Sequence, residues 1–450
     1  MDNLEDRLGR IKEGILEKVE EYFKLSQEKG IVVPKPYVKY VWRVWDENEI
    51  KAAISSVLEQ KITYGNIARE FENEFSKFLN TKYTIYVNSG SSANLIAVSS
   101  LKSMMFGDTI KSDNESYPII KDGDEVITPA ATFPTTSNVL LINNLVPVFV
   151  DIELGTYNMN PRDIESAITD KTRLIMLPHT LGNPNDMDPI LEMAKKNKIF
   201  LIEDACDSLG SEYKGKKLGT FGDMGSFSFY LSHHISTGEG GAVVTKNSEL
   251  KRILDSMRDW GRDCWCEPYK SNTCGKRFEW QLGDLPFGYD HKYTYSNIGF
   301  NLKPLDVQAA IGLEQIKKLP NIIIKKRKEN FKKLYEGLKK FEEFLILPKS
   351  IEGADPCWFS VPLTVRDEKV FSRNDFVNYL AENEIETRPF FAGNIIKQPG
   401  YKGAKYRINN SLENTNKVML GTFFIGCHPG LNDEMIYYVF DKFKNYFDKL

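Results

Sequence analysis

Histidine is scarce in this chain, with five in 450 residues. Long apolar runs are missing altogether. None reaches the roughly 18 residues a membrane helix requires, which argues against a helical membrane protein. Charge of one sign is not in excess either: 59 Lys and Arg face 62 Asp and Glu, a formal net of -3. Neither a nucleic-acid nor a membrane-surface role fits that balance. Repeats and low-complexity tracts are absent. The opening MDNLEDRLGRIKEG is charged and periodic, unlike a signal or transit peptide. The expectation is a soluble cytoplasmic protein, with thiols that stay reduced unless a metal takes them.

At this length a large domain plus a smaller one is expected. Strand-like segments fall at Thr84–Val87, Glu125–Thr128, Val146–Ile152, Arg173–Leu177, Ile199–Glu203, Ser226–Tyr230 and Ala242–Thr245. Several are apolar throughout, as strands covered on both faces should be. Helical patterns such as Ser92–Met104 and Pro189–Lys196 fit between them, which predicts an α/β fold with a largely parallel sheet. Ala242–Thr245 follows Ser226–Tyr230 too closely for a crossover, so that pair should be antiparallel. Apolar residues recur at helical spacing from Ile324 to Phe341. Residues 1–320 should form an N-terminal arm and the large domain, and 321–450 a linking helix and a smaller α/β domain. Lys325–Lys328 is basic enough to suggest nucleic acid, but such runs usually mark a solvated helix face.

Four motifs bear on chemistry. In VNSGSSANL, Val87 to Leu95, a strand runs through Gly90-Ser91-Ser92 into a helix; this suits a phosphate cradle or an ordinary N-capped helix. In IEDACDS, Ile202 to Ser208, an apolar strand ends at Glu203-Asp204, where α/β proteins bind ligands. Asp204 could keep a pyridine nitrogen protonated, or simply cap a helix. In ATFPTTSN, Ala131 to Asn138, Phe133 could stack on an aromatic cofactor or lie in the core. The fourth, FSFYLSHHISTGEGG, Phe227 to Gly241, carries Ser228 and the adjacent His233 and His234 before a Gly-rich turn.

In this order the motifs resemble the DegT-like sugar-nucleotide aminotransferases, vitamin B6 enzymes of fold type I. The resemblance extends through EFENEFSKFLNTKY, VDIELGTYNMNP, HTLGNPNDMDPI, EYKGKKLGTFGD and NIGFNLKPLDVQAAIGLEQI. It implies a large domain with a mostly parallel mixed sheet between helices, and a smaller C-terminal α/β domain. It also implies that Asp204 pairs with the pyridine nitrogen, that Phe133 stacks on the ring, and that Gly90, Ser91, Ser92 and Ser228 hold the phosphate. Asn301 would reach the phosphate of a neighbouring subunit, so a homodimer follows. Asp207 stands where the family usually has glutamine near the phenolic oxygen.

The family lysine that precedes the Gly-rich turn and tethers the cofactor is missing, and His233 stands in its place. Imidazole forms no stable Schiff base, so the resting cofactor should be pyridoxamine 5'-phosphate. With an ordinary pKa of roughly 6.5, histidine is a base at neutral pH, where lysine is mostly protonated. That favours dehydration over amino transfer, with His234 as the alternative base.

Of the six cysteines, three lie in RDCWCEPYKSNTC, and Cys206 lies two residues past Asp204. Two residues span at most roughly 7 Å, so a metal on Cys206 would sit close to the cofactor. Spacing alone leaves zinc, an iron–sulfur cluster and no metal all open. The pattern C-x57-C-x-C-x7-C over Cys206, Cys264, Cys266 and Cys274 resembles the [2Fe–2S] ligands of the family's 3-dehydrase branch, as do HHISTGEGG and TRPFFAGN. That branch acts on CDP-linked 4-keto-6-deoxyhexoses, in 3,6-dideoxyhexose and lipopolysaccharide O-antigen synthesis. The resemblance implies loss of the 3-hydroxyl, with electrons from an iron–sulfur flavoprotein NAD(P)H reductase. Arg388 in TRPFFAGN is a candidate for a substrate phosphate. Cys357 and Cys427 fall outside the pattern and read as buried thiols. The rivals are a cluster-free dehydratase that restores its cofactor with glutamate, a plain aminotransferase, and a zinc-stapled non-catalytic binding protein.

Overall fold

The computed structural model describes residues 3–28, 37–112, 115–267 and 270–450. Pro268 and Tyr269, inside the cysteine-rich stretch, lie outside them. Seven strands of the central sheet come in chain order: β1 (Tyr83–Val87), β2 (Glu125–Pro129), β3 (Val146–Val150), β4 (Thr172–Pro178), β5 (Phe200–Asp204), β6 (Met224–Ser228) and β7 (Gly241–Thr245). The sequence-based strands match these within a few residues. β2, β3, β5, β6 and β7 are buried along their whole length. That is why they read as mostly apolar or small-residue runs, with charge only at strand ends such as Glu125 and Glu203-Asp204: helices cover both faces, and no polar alternation is needed.

The strand order is β1-β7-β6-β5-β4-β2-β3, with Arg407–Ile408 added beyond β3. Neighbours from β6 to β3 run parallel. β6 and β7 are antiparallel as expected, with Ser228 opposite Gly241. β7 is also antiparallel to β1, so it is reversed relative to both its neighbours. Two reversals leave β1 pointing the same way as β6, so the carboxyl ends of β1, β2, β4, β5 and β6 share one rim of the sheet.

Helix α1 (Asn66–Leu79) packs beside β1, and α2 (Gly90–Ser100) follows β1 across the sheet. α3 (Ser248–Arg258) lies against β1 and α2. The helical period seen past residue 305 resolves into α4 (Asp306–Lys318), a wide turn over Leu319–Ile324, and α5 (Lys325–Leu338). Pro320 sits in that wide turn. Its missing N–H removes one rung of the helix ladder, and the wider turn accommodates the gap. Lys325–Lys328 is not a uniformly solvated face: Arg327 is buried and donates to the Phe359 carbonyl at 2.7 Å.

Beyond residue 344 a second, antiparallel sheet forms from Leu345–Ile346, Ser360–Val365, Thr422–Gly426 and Thr387–Pro389, in that spatial order. It packs on an aromatic-rich core that includes Phe376, Phe423, Phe443 and Phe447. Two short strands of this stretch pair elsewhere: Ala354–Asp355 with Glu212–Tyr213, and Arg407–Ile408 on the central sheet. The latter runs parallel to β3, where Arg407 reaches Glu125 on β2 at 2.8 Å.

Candidate active site

A cavity of ≈ 320 Å³ opens at the shared rim, within the range usual for small-ligand pockets. Its floor comes from residues just past five strands: Gly90 and Ser91 after β1, Phe133 after β2, His179 after β4, Asp204 and Cys206 at β5, and Ser228 and His233 at β6. The far wall is Tyr40, Phe359, Arg388, Phe391 and Phe424. Polar groups thus converge from one sheet edge, while an aromatic wall closes over them.

Gly90 opens α2, where the Ser89 side chain caps the helix by accepting from the Ser92 amide at 3.1 Å. A Cβ on Gly90 would come within 2.5 Å of Ser228 Cβ and 3.2 Å of Cys206 Sγ. Only glycine keeps this helix start close to Ser228, and exposed Ser91 lies beside it. The result is a small-residue cradle at a helix N-terminus, a fit site for a phosphate. Ser92 is placed differently from expectation. It does not line the cavity, and its hydroxyl donates to Asn88 at 2.6 Å within the cap.

Asp204 is buried at the end of β5. Its Oδ2 accepts from Asn94 at 2.9 Å and from Thr136 at 2.8 Å. Two fixed donors orient the carboxylate toward the cavity, which suits a protonated ring nitrogen. Its neighbour Glu203 has another role. It accepts from His179 Nε2 at 2.9 Å and from the amides of Gly219, Phe221 and Gly222. Burial alone would raise its pKa, but His179 and the loop amides hold it below the usual carboxylate range. His179 Nδ1 accepts from the Asn185 amide at 3.3 Å, which fixes the tautomer with the proton on Nε2. His179 is therefore a rigid, oriented ring in the cavity wall.

His233 and His234 point to different surroundings. His233 lines the cavity, and its buried Nδ1 has no hydrogen-bond partner. The nearest carboxylate oxygen, on Asp207, lies 3.4 Å away in an alignment that makes no hydrogen bond. His234 lies outside the cavity lining, with Nε2 on the Cys357 carbonyl at 2.8 Å. Burial, and then the Arg327 charge, push its pKa well below the ordinary histidine value. It is a neutral anchor to the second sheet. Arg388 reaches the cavity, stacks 4.1 Å over the Tyr40 ring and pairs with Glu386 at 2.5 Å. Phe133 also lines the cavity, with its ring edge-on to Phe391. Asn301 is exposed and outside the cavity, with a backbone bridge to Asp259.

No described residue lining the cavity is a lysine. The cysteines are divided. Cys206 lies in the cavity, while Cys264, Cys266 and Cys274 share a separate small pocket with Arg277 and Lys292. Among the described residues no cluster of three or more potential ligands has metal-binding geometry. Cys357 and Cys427 are fully buried, and burial pushes their thiols up to about 12 and about 11.

Several site residues were not singled out from the sequence. Thr136 and His179 sit in quoted motifs, so a signal existed. Asn94 likewise sits in the quoted VNSGSSANL motif. Tyr40, Phe359 and Phe424 come from segments far from every motif, and only the folded chain brings them to the cavity.

The site's likeness to known proteins is extensive. The chain is 45% identical over 438 residues to a dTDP-4-dehydro-2,6-dideoxy-D-glucose 3-dehydratase of Saccharopolyspora spinosa, covering 97% of this chain and 92% of that one. It is 45% identical over 420 residues to the lipopolysaccharide biosynthesis protein RfbH of Salmonella typhimurium, covering 92% and 94%. Among solved structures, an E. coli GDP-4-keto-6-deoxy-D-mannose-3-dehydratase with bound hydrated PLP matches with a TM-score of 0.79 at 30% identity, over 90% of this chain and 98% of that one. The architecture is that of fold type I. With residues 44–444 matched by the DegT/DnrJ/EryC1/StrS aminotransferase family, the chain belongs to that family.

Proposed function

We propose that this protein removes the 3-hydroxyl of a nucleotide-linked 4-keto-6-deoxyhexose, using pyridoxamine 5'-phosphate and a [2Fe–2S] cluster. The observation that carries the reading is His233: an imidazole with a buried nitrogen that makes no hydrogen bond, in a cavity with no lysine among its described lining residues, where the motif resemblance puts the family's tethering residue. Its relatives' names include 3-dehydratases of dTDP- and GDP-linked sugars. CDP as this chain's nucleotide rests on the motif resemblance.

The bound cofactor would supply an amine for the sugar ketone and a ring that accepts electrons. Gly90, Ser91 and Ser228 would hold its phosphate at the start of α2. Asp204, fixed by Asn94 and Thr136, would keep a proton on the ring nitrogen. With the cofactor bound, His233 would serve as the base for a carbon-bound proton and could return that proton to the departing hydroxyl as water leaves. Phe133 supports the ring, Asp207 borders the imidazole, and Arg388 meets a substrate phosphate. Cys206, Cys264, Cys266 and Cys274 would be the ligands of the cluster, which bound there would supply one-electron transfer between a flavoprotein reductase and the site. The protein works as a soluble, cytoplasmic homodimer, and Asn301 serves the neighbouring subunit.

His233→Asn tests the reading. Loss of the 3-hydroxyl should slow roughly 10²–10⁴-fold while cofactor binding persists. Unchanged turnover removes His233 from the mechanism. Iron-free protein that dehydrates with glutamate would assign the cluster-free chemistry instead, and one zinc with no cofactor would assign a binding protein.

A further inference from the structure

The helix over Leu4–Glu28 carries two apolar stripes, and only one of them is turned to the rest of the chain. Leu16, Val19 and Phe23 are half-buried, and the helix packs against the one over Glu47–Leu58. Ion pairs fasten that side: Lys51 holds Glu20 at 2.5 Å, and Lys12 holds Glu59. The second stripe is Leu4, Leu8, Ile11, Ile15, Tyr22 and Leu25, exposed from 38% at Ile15 to 73% at Tyr22. Its steps alternate four and three residues, with Lys18 at the one polar position, between Ile15 and Tyr22. An apolar repeat of this period is the seam of a coiled coil, whose side chains pack between those of a second helix. Scattered exposed apolar residues need no explanation, but an unbroken line along about 30 Å of helix does. The helix precedes residues 44–444, the stretch matched by the family, and none of its described residues lines the cofactor cavity.

We infer that this stripe pairs with the same stripe of a second copy of the chain, the two helices running antiparallel. The stripe is complementary to itself in that arrangement. About a two-fold axis, Ile11 packs beside Ile15 of the other copy, Leu4 beside its Tyr22, and Lys18 lays its alkyl stem along its Leu8. The exposed flanking charges then match: Arg7 of each copy lies opposite Glu21 of the other. A parallel, in-register pair fits less well, because it stacks Lys18 on Lys18 in the seam and separates Arg7 from Glu21. In the antiparallel pair Lys12 meets its own counterpart, and Glu59 offsets each of those charges. Gly14 falls beside the two-fold axis. Nothing elsewhere in its own chain lies within 4 Å of a Cβ built there, so packing within one chain does not call for glycine at a mid-helix position where it is unfavourable. Two copies do call for it: its missing side chain lets the helices approach closely where they cross.

The test is cross-linking of the full chain with a short bis-maleimide. Gly14→Cys should give a covalent pair, and peptide mass spectrometry should show the two chains joined through position 14. Adding Ile11→Glu and Ile15→Glu places unpaired charge in the seam and should cut that yield about tenfold, with unchanged far-ultraviolet circular dichroism. Orientation is read separately. Leu4→Cys alone should not join two copies through position 4, whereas a mixture of Leu4→Cys and Tyr22→Cys chains should join position 4 to position 22. No link through position 14, or a link that survives Ile11→Glu and Ile15→Glu undiminished, overturns the pairing. Self-linking at position 4 as efficient as at position 14 overturns the antiparallel arrangement. A thiol at position 14 that never cross-links but is shielded from alkylation by an added flavoprotein reductase overturns the inference and gives the stripe to that partner.

Discussion

Three buried or half-buried imidazoles show how surroundings decide chemistry. His233 lines the cavity, with its buried Nδ1 3.4 Å from an Asp207 carboxylate oxygen. His234 and His428 are buried against backbone carbonyls, of Cys357 and Lys39 respectively. Burial above all depresses both, and His428 is lowered to about 4. The unfolded chain protonates these groups near pH 6.5, while the folded state resists it. Between pH 6.5 and about 4 the unfolded state therefore binds more protons, so stability rises with pH and is lost as pH falls. For His428 alone the loss across that window is roughly 3 kcal/mol. Urea denaturation at pH 7 and pH 5 should show it. His428→Gln should be less stable at pH 7 yet lose less on acidification, and an equal loss in both proteins would exclude this histidine as the cause.

At the scale of elements, two junctions are decisive. The start of α2 needs glycine at position 90, because a methyl there meets Ser228 and Cys206. Gly90→Ala should weaken cofactor binding at least tenfold in an absorbance titration, with little change in far-ultraviolet circular dichroism. Wild-type affinity would show that the cradle yields. The second junction ties α4 to the helix over Glu47–Leu58. Buried Glu49 accepts from Lys318 at 2.6 and 2.7 Å and from Gln315 at 2.6 Å. Glu49→Ala leaves buried Lys318 with only the part-exposed Asp46 at 2.8 Å and should cost a few kcal/mol, no more than about 3–5, and Lys318→Met in the same chain should recover much of it. Equal stability of the single and double variants would sink that account. These junctions also show what was legible in advance. Strands β2 to β7 were readable because burial on both faces leaves a largely apolar or small-residue signature, broken only at a few positions such as Glu125, Arg173 and Glu203-Asp204. The Gly90 cradle was readable because a strand meets a helix through small residues. The Glu49 clamp was not, since one acidic residue on an amphipathic helix looks like any solvated one. The second antiparallel partner of β7 and the edge strand at Arg407 were hidden as well, because sequence spacing does not encode pairing between distant segments.

For the molecule as a whole, the exchange of one residue changes what holds it together. The family's lysine would bond the cofactor covalently, whereas this cavity offers helix-terminal amides, Asp204 and an aromatic wall, with no lysine among its described lining residues. Binding is then an ordinary equilibrium, and whatever binds only the folded state stabilises it by mass action. The melting temperature should therefore climb continuously with added pyridoxamine 5'-phosphate, by the equivalent of about 2.7 kcal/mol at a hundred times the dissociation constant. Gel filtration alone should strip the cofactor, with no amine or hydroxylamine needed to release it. The sharper measurement is borohydride reduction of protein saturated with the aldehyde form, followed by peptide mass spectrometry. Unmodified lysines throughout are the expected result. A stoichiometric pyridoxyl adduct on any lysine would mean that a distant side chain reaches the cavity after all, and His233 would lose its place as the substitute for the missing tether.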